Sequence, residues 1–200
     1  MKKRINIITG LILIILSMLW ASSCTSAIAI DNEPEKPVTG NSEALVVYFS
    51  WSGNTQILAN IIAEKRNADL FRIVPEVPYT NEDVFSRAQE ELNNGVRPPL
   101  AEHIDHEIMD RYEIIYIGFP VWWYDLPMPV WSFLEEYDFS GKTIVPFFSH
   151  NGSSSGASSI STIRRLCPNS TIIERYLSIR GSNVNSAEAD VIQWINNLNI

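Results

Sequence analysis

From Ala44 onward the chain alternates short, largely apolar runs with segments of helical period, and that alternation constrains the fold more than anything else in the sequence. The runs are Leu45–Phe49, Asp69–Val74, Glu113–Gly118, Thr143–Ser149 and Thr171–Leu177. Helical patterns occupy Thr55–Lys65, Asn81–Asn93, Pro129–Tyr137 and Ser158–Leu166. Asn185-Ser-Ala-Glu188 reads as a capping box that opens a last helix running through Leu198. A strand that is apolar throughout, rather than at alternate residues, is covered on both faces. Five such strands interleaved with helices predict an α/β fold with a doubly wound, five-stranded parallel sheet. The second helix carries Val84, Phe85, Ala88 and Leu92, and Asn94–Arg111, with Pro98 and Pro99, reads as irregular.

The amino terminus has a different character. Lys2, Lys3 and Arg4 precede an apolar run from Ile7 to Trp20, followed by Ala21, Ser22, Ser23 and Cys24. The run is shorter than the roughly 20 residues of a membrane span and has the flanks of a secretory signal. A cysteine directly after small residues resembles a bacterial lipoprotein cleavage site. Residues 1–23 are therefore expected to be a lipoprotein-type signal peptide, with Cys24 the lipidated residue. An ordinary signal peptide or an uncleaved anchor is the alternative. Residues 24–42, rich in Asp, Asn, Glu, Pro and Gly, read as a flexible tether, and residues 43–200 as the folded domain. The expected location is the bacterial cell envelope, periplasmic or outer-membrane, with lipid as the only membrane contact.

Charge narrows the partners. The formal charge is −8, and losing Lys2, Lys3 and Arg4 makes it −8 − 3 = −11. A body this acidic does not seek nucleic acid or an anionic bilayer. The two cysteines are Cys24 and Cys167; with Cys24 lipidated, Cys167 has no partner and reads as a buried small hydrophobe.

In a doubly wound sheet, ligands bind beyond the carboxyl ends of the strands, where the strand order reverses. Three loops fall there: Ser50–Thr55, Pro120–Leu126 and His150–Gly156. The first reads Ser50-Trp51-Ser52-Gly53-Asn54-Thr55, with no Lys or Arg between Phe49 and Ile62. Its amides and hydroxyls suit one small anion at a helix head, bound without a formal positive charge. A serine-rich turn capping a helix is the bland alternative. The first loop carries no Gly-Lys-[Ser/Thr], the full Gly-x-x-x-x-Gly-Lys-[Ser/Thr] is absent, and Gly-x-Gly-x-x-Gly does not occur, which excludes a P-loop and the dinucleotide fingerprint. The second loop holds Pro120, Val121, Trp122 and Trp123, and its indoles could stack on a flat ring or simply cover the sheet end. The third, with His150, Asn151 and Gly152, lets backbone approach a ligand closely, while His150 could bond a ring carbonyl or only its own loop. His103 and His106, beside Glu102, Asp105 and Glu107, have some ligand-like spacing, but no metal is expected.

Together, a phosphate cradle, an aromatic loop and a polar glycine loop suit a flavin mononucleotide. Ser50–Thr55 resembles the flavodoxin phosphate signature [Ser/Thr]-x-[Ser/Thr]-Gly-x-Thr. Ile117-Gly-Phe-Pro-Val-Trp-Trp123, Leu126-Pro-Met-Pro129, Asp138-Phe-Ser-Gly-Lys-Thr143 and Phe148-Ser-His-Asn-Gly152 resemble a flavodoxin-like branch of the short-chain type. The resemblance implies a sheet of order 2-1-3-4-5, bound FMN and one- or two-electron chemistry. It implies that Ser50, Trp51, Ser52, Gly53, Asn54 and Thr55 hold the phosphate, while Pro120, Val121, Trp122, Trp123, His150, Asn151 and Gly152 flank the ring system. Electron-carrying flavodoxins usually stack a tyrosine from the third loop on the flavin. This chain has His-Asn-Gly-Ser there, which leaves one ring face more open. The implied functions are electron transfer with an unknown redox partner protein, or reduction of a small acceptor such as a quinone by an NAD(P)H-dependent enzyme. An exported lipoprotein binding module without redox activity is the alternative.

Overall fold

Side chains on successive residues of the central strands pack to opposite faces of one sheet. Leu45, Val47, Phe49, Ile115, Ile117 and Phe119 enter one apolar cluster; Val46, Tyr48, Tyr116, Val145 and Phe147 enter the other. Helices cover both, so every one of these positions is apolar or aromatic. The computed structural model describes residues 38–152 and 154–200. The proposed signal, Cys24 and most of the proposed tether lie outside the described residues.

The order is β1 (Ala44–Tyr48), α1 (Asn54–Arg66), β2 (Asp69–Arg72), α2 (Arg87–Asn94), α3 (His106–Met109), β3 (Ile114–Pro120) and α4 (Met128–Glu136). Then come β4 (Thr143–His150), α5 (Ala157–Leu166), β5 (Thr171–Ile172), β6 (Leu177–Arg180), a 3₁₀ turn at Gly181–Ser186 and α6 (Glu188–Asn196). All ladders are parallel, in the order β2-β1-β3-β4-β5, with β6 also on β4. The order expected from the resemblance is the one found. The chain leaves β1 toward β2 and returns to its other side as β3, so the reversal lies between the carboxyl ends of β1 and β3.

Three local expectations are corrected. The fifth strand is interrupted: Ile172 pairs with Ile144 and Leu177 with Phe147, and the residues between leave the ladder. Trp194 Nε1 donates to the Arg175 carbonyl at 2.6 Å, and Tyr176 lays its ring on Phe148 and donates its hydroxyl to Ser155 O. The detour therefore ties the edge strand to α6 and to the third loop. The last helix has no side-chain cap, because the 3₁₀ turn runs into it through Ala187 and Ser186 Oγ donates to Asn183 O instead. The second helix begins only at Arg87. Before it, Asp83 accepts both the amide and the hydroxyl of Thr80, a local closure that competes with helix.

At the opposite end of the sheet the start of β2 secures the incoming chain. Asp69 Oδ2 accepts the Thr39 and Gly40 amides, each at 3.1 Å, and the Tyr112 hydroxyl at 2.6 Å. Val38 packs against the core, so the ordered packing begins before residue 43. Cys167 is free and buried, and burial pushes its thiol up to about 12.

Gly118 on β3 lies against Phe147 of β4 so closely that a Cβ would stand 2.1 Å from the ring. Gly118→Ala should therefore lower unfolding stability by about 1–3 kcal/mol through overpacking. Urea unfolding measures the loss, and adding Phe147→Leu should recover part of it.

Candidate functional site

Loop one ends β1 and turns into α1 at Gly53, whose φ of 88° and ψ of −17° are left-handed. Open space surrounds the position where its Cβ would be, so the glycine is needed for conformation and not for room. Helix α1 has no side-chain cap and no acidic residue in its first turn. Its leading amides thus lack an intrahelical partner and point where an anion would sit. Ser50 is 4% exposed, and its hydroxyl is buried without a hydrogen-bond partner among the described residues. A buried, partnerless hydroxyl beside an uncapped helix head fits an oxyanion that completes both. Thr55 and Ser149 join their hydroxyls at 3.0 Å in a buried bond, which fixes α1 against the end of β4.

Loop two follows β3. Trp122 is buried, edge-on to Phe49 at 5.3 Å and to Tyr79 at 5.2 Å. Trp122 and Asp125 exchange backbone bonds of 3.0 and 2.9 Å around Trp123 and Tyr124, whose φ values are 50° and 68°. Two positive φ angles in a two-residue turn match the type I′ pattern, which Asn and Gly normally fill. Bulky residues held there store on the order of 1–3 kcal/mol each. The turn is held from both sides. Asp125 Oδ2 accepts the hydroxyls of Ser158 and Thr162, and Trp123 Nε1 donates to Val84 O at 2.9 Å.

Loop three follows β4. His150 Nδ1 accepts the Gly152 amide at 2.8 Å. Burial first, and then the nearby Arg180 guanidinium, hold this imidazole below the usual histidine range. It is neutral at pH 7, and with Nδ1 accepting, its proton sits on Nε2 as a donor. Gly152 has φ 96° and lies directly under Arg180, whose guanidinium carbon would be 3.2 Å from a Cβ there. The same strand end places Gly181 against the Asn54 side chain. A cation from the far end of the chain thus borders a site whose first loop contains none.

The three loops enclose a cavity of about 330 Å³. Trp51, Ser52 and Asn54 line it from loop one, Pro120, Val121, Trp122 and Trp123 from loop two, and His150 and Asn151 from loop three. Ser50, Gly53, Thr55 and Gly152 are not among its lining residues. Ser149, Ser154, Tyr124, Val84 and Phe85 complete the wall. Phe85 corrects the helical reading. It is 72% exposed at the cavity rim, because its segment is turn and not helix. His103 engages both ring nitrogens elsewhere, with Glu136 at 2.6 Å and Leu100 O at 3.1 Å. Among the described residues no group of three or more His, Cys, Asp or Glu side chains could hold a metal ion.

A parallel sheet with an uncapped helix head, an indole-lined slot and a glycine loop at its reversal point defines a mononucleotide-binding α/β protein. Known proteins agree. The chain matches the flavodoxin family over residues 43–198 and belongs to it. A flavoprotein from Bacteroides uniformis has 31% identity, with a TM-score of 0.67 over 78% of this chain and 99% of its own. One from Bacteroides eggerthii has 28% identity and a TM-score of 0.67 over 80% and 99%. A third, from Lactobacillus acidophilus and solved in complex with FMN, has 21% identity and a TM-score of 0.55 over 72% and 97%. No curated protein matches the chain. The cofactor of this flavodoxin is FMN.

Protonating His150 would place a proton on Nδ1, facing the Gly152 amide that now donates to it. A depressed folded-state value means that the loop is intact above the ordinary histidine pKa of about 6.5 and is lost as pH falls through the lower folded value. FMN affinity should accordingly be flat from neutral pH upward and decline below about pH 6.5. His150→Gln should remove that decline in a fluorescence titration across pH.

Proposed function

We propose that this flavodoxin is an FMN-dependent redox protein that reduces a small acceptor such as a quinone, anchored in the bacterial envelope by lipid on Cys24. The cavity mouth carries this reading. Tyr124 is 63% exposed and Trp123 36%, and both line the cavity from a turn held against its own conformational preference. An exposed aromatic mouth beside a polar third loop suits a cofactor that meets small molecules better than one enclosed for tunnelling to a protein.

FMN supplies one- or two-electron redox chemistry. The residues around it bind and orient. The amides of Ser52–Thr55, with the hydroxyls of Ser50, Ser52 and Thr55, would hold the phosphate. Trp122 and Pro120 would wall the ring system, and the Nε2–H of His150 would donate to an acceptor atom on it. The basic head, the apolar run and Cys24 support the anchor.

The phosphate loop recognises only what riboflavin lacks, so riboflavin should bind far more weakly than FMN in an absorption titration. Thr55→Val should cost about 1–3 kcal/mol of FMN affinity, the range for a hydrogen bond to a charged group. Equal affinity for the two flavins would defeat the assignment. With FMN bound, the purified protein should oxidise NADH or NADPH in the presence of menadione; a colourless protein that takes up no FMN would end the redox reading. Cys24→Ser should move the protein from the membrane to the soluble fraction.

A further inference from the structure

The cavity has an outer rim of exposed aromatic side chains. Phe85 and Tyr124 line the cavity and are 72% and 63% exposed, the two most exposed aromatic side chains on its wall. They come from separate segments, the turn before α2 and the turn after β3. The segments are joined behind the rim by the bond from Trp123 Nε1 to Val84 O, one residue from each exposed ring. A cation–π contact of 4.0 Å between Arg87 and Tyr79, with Arg87 ion pairs to Asp83 and Glu91, holds the Phe85 segment in place. Both rings are thus presented from anchored backbone, and Tyr124 is kept at a positive φ that a glycine would adopt without strain.

We propose that Phe85 and Tyr124 form a binding slot for the acceptor itself, and that its class is a flat, uncharged, apolar ring system. The inference rests on the redox reading above and adds its substrate class. Apolar side chains at the mouth of a concave cavity gain affinity by removing a planar molecule from water and stacking on it. A protein partner needs a broad face, with a standard interface burying about 1,600 Å². The apolar surface here lines the mouth of a concave cavity and is no broad face, the setting of a small-molecule site. A small hydrophilic acceptor has no use for either ring, so the rim should distinguish acceptors by shape and polarity. Val84, beside Phe85, lines the same wall and extends the apolar surface inward.

The test uses the FMN-loaded protein, with menadione as the flat apolar probe and ferricyanide as an acceptor without a ring. Equilibrium dialysis measures menadione binding directly, independent of turnover. Phe85→Ala and Tyr124→Gly should each weaken menadione binding at least tenfold and raise its KM in parallel. The loss of menadione binding should exceed by at least fivefold any change in FMN affinity or in the rate of ferricyanide reduction. Tyr124→Gly should not lower Tm, because it relieves the strained turn, so lost binding cannot be attributed to a damaged fold. Unchanged menadione binding in both variants would overturn the proposal. A matching loss of FMN affinity would also overturn it, by giving the two rings to the cofactor. Absence of ferricyanide reduction in the parent would instead defeat the redox reading, while the dialysis result would still decide whether the slot exists.

Discussion

The site depends on an incomplete helix head. Helix α1 starts at a left-handed glycine with no side-chain cap, and the neighbouring Ser50 hydroxyl is buried without a partner. Folded chains rarely leave such groups unsatisfied, since each costs about 1–3 kcal/mol when orphaned. An uncapped head and an orphaned hydroxyl meet at the point where β1 and β3 part, which is where the doubly wound sheet leaves a crevice. Fold and ligand chemistry therefore share one cause: the sheet positions the gap, and the unsatisfied groups in it select an anion.

A second deficit lies in the aromatic loop. Trp123 and Tyr124 occupy backbone conformations that favour Asn and Gly, and they stay there because Asp125 is held by two hydroxyls of α5 and Trp123 by a carbonyl of the neighbouring turn. The protein accepts strain to keep large rings at an opening. Strain retained against an easy remedy is better explained by what the rings contact than by stability.

Much of this was readable in the chain. Largely apolar strands between helices announced a sheet covered on both sides, and ligands of such a sheet bind beyond the strands' carboxyl ends, which marked out the three loops. The order of the strands came from the motif resemblance, because periodicity carries no information about which strands pair. Phe85 was hidden because its spacing to Ala88 and Leu92 matches a helix, whereas the local bonds between Asp83 and Thr80 unwind that stretch. Arg180 was hidden for another reason: it lies 30 residues beyond His150 in sequence, and only the β4–β6 ladder brings the two side by side. The broken fifth strand was equally invisible, since the bond from Trp194 to Arg175 that draws it out of line joins distant segments.

The clamp on Asp69 has a practical consequence. It fastens Thr39 and Gly40 at the start of β2, whereas the crevice opens beyond the strands' carboxyl ends. Any immobilisation chemistry or fused carrier attached upstream of residue 38 would enter the domain at the pole away from its mouth. Such a handle leaves the mouth unobstructed, which makes this domain a convenient body to mount on an electrode or bead while small molecules diffuse in from the free side.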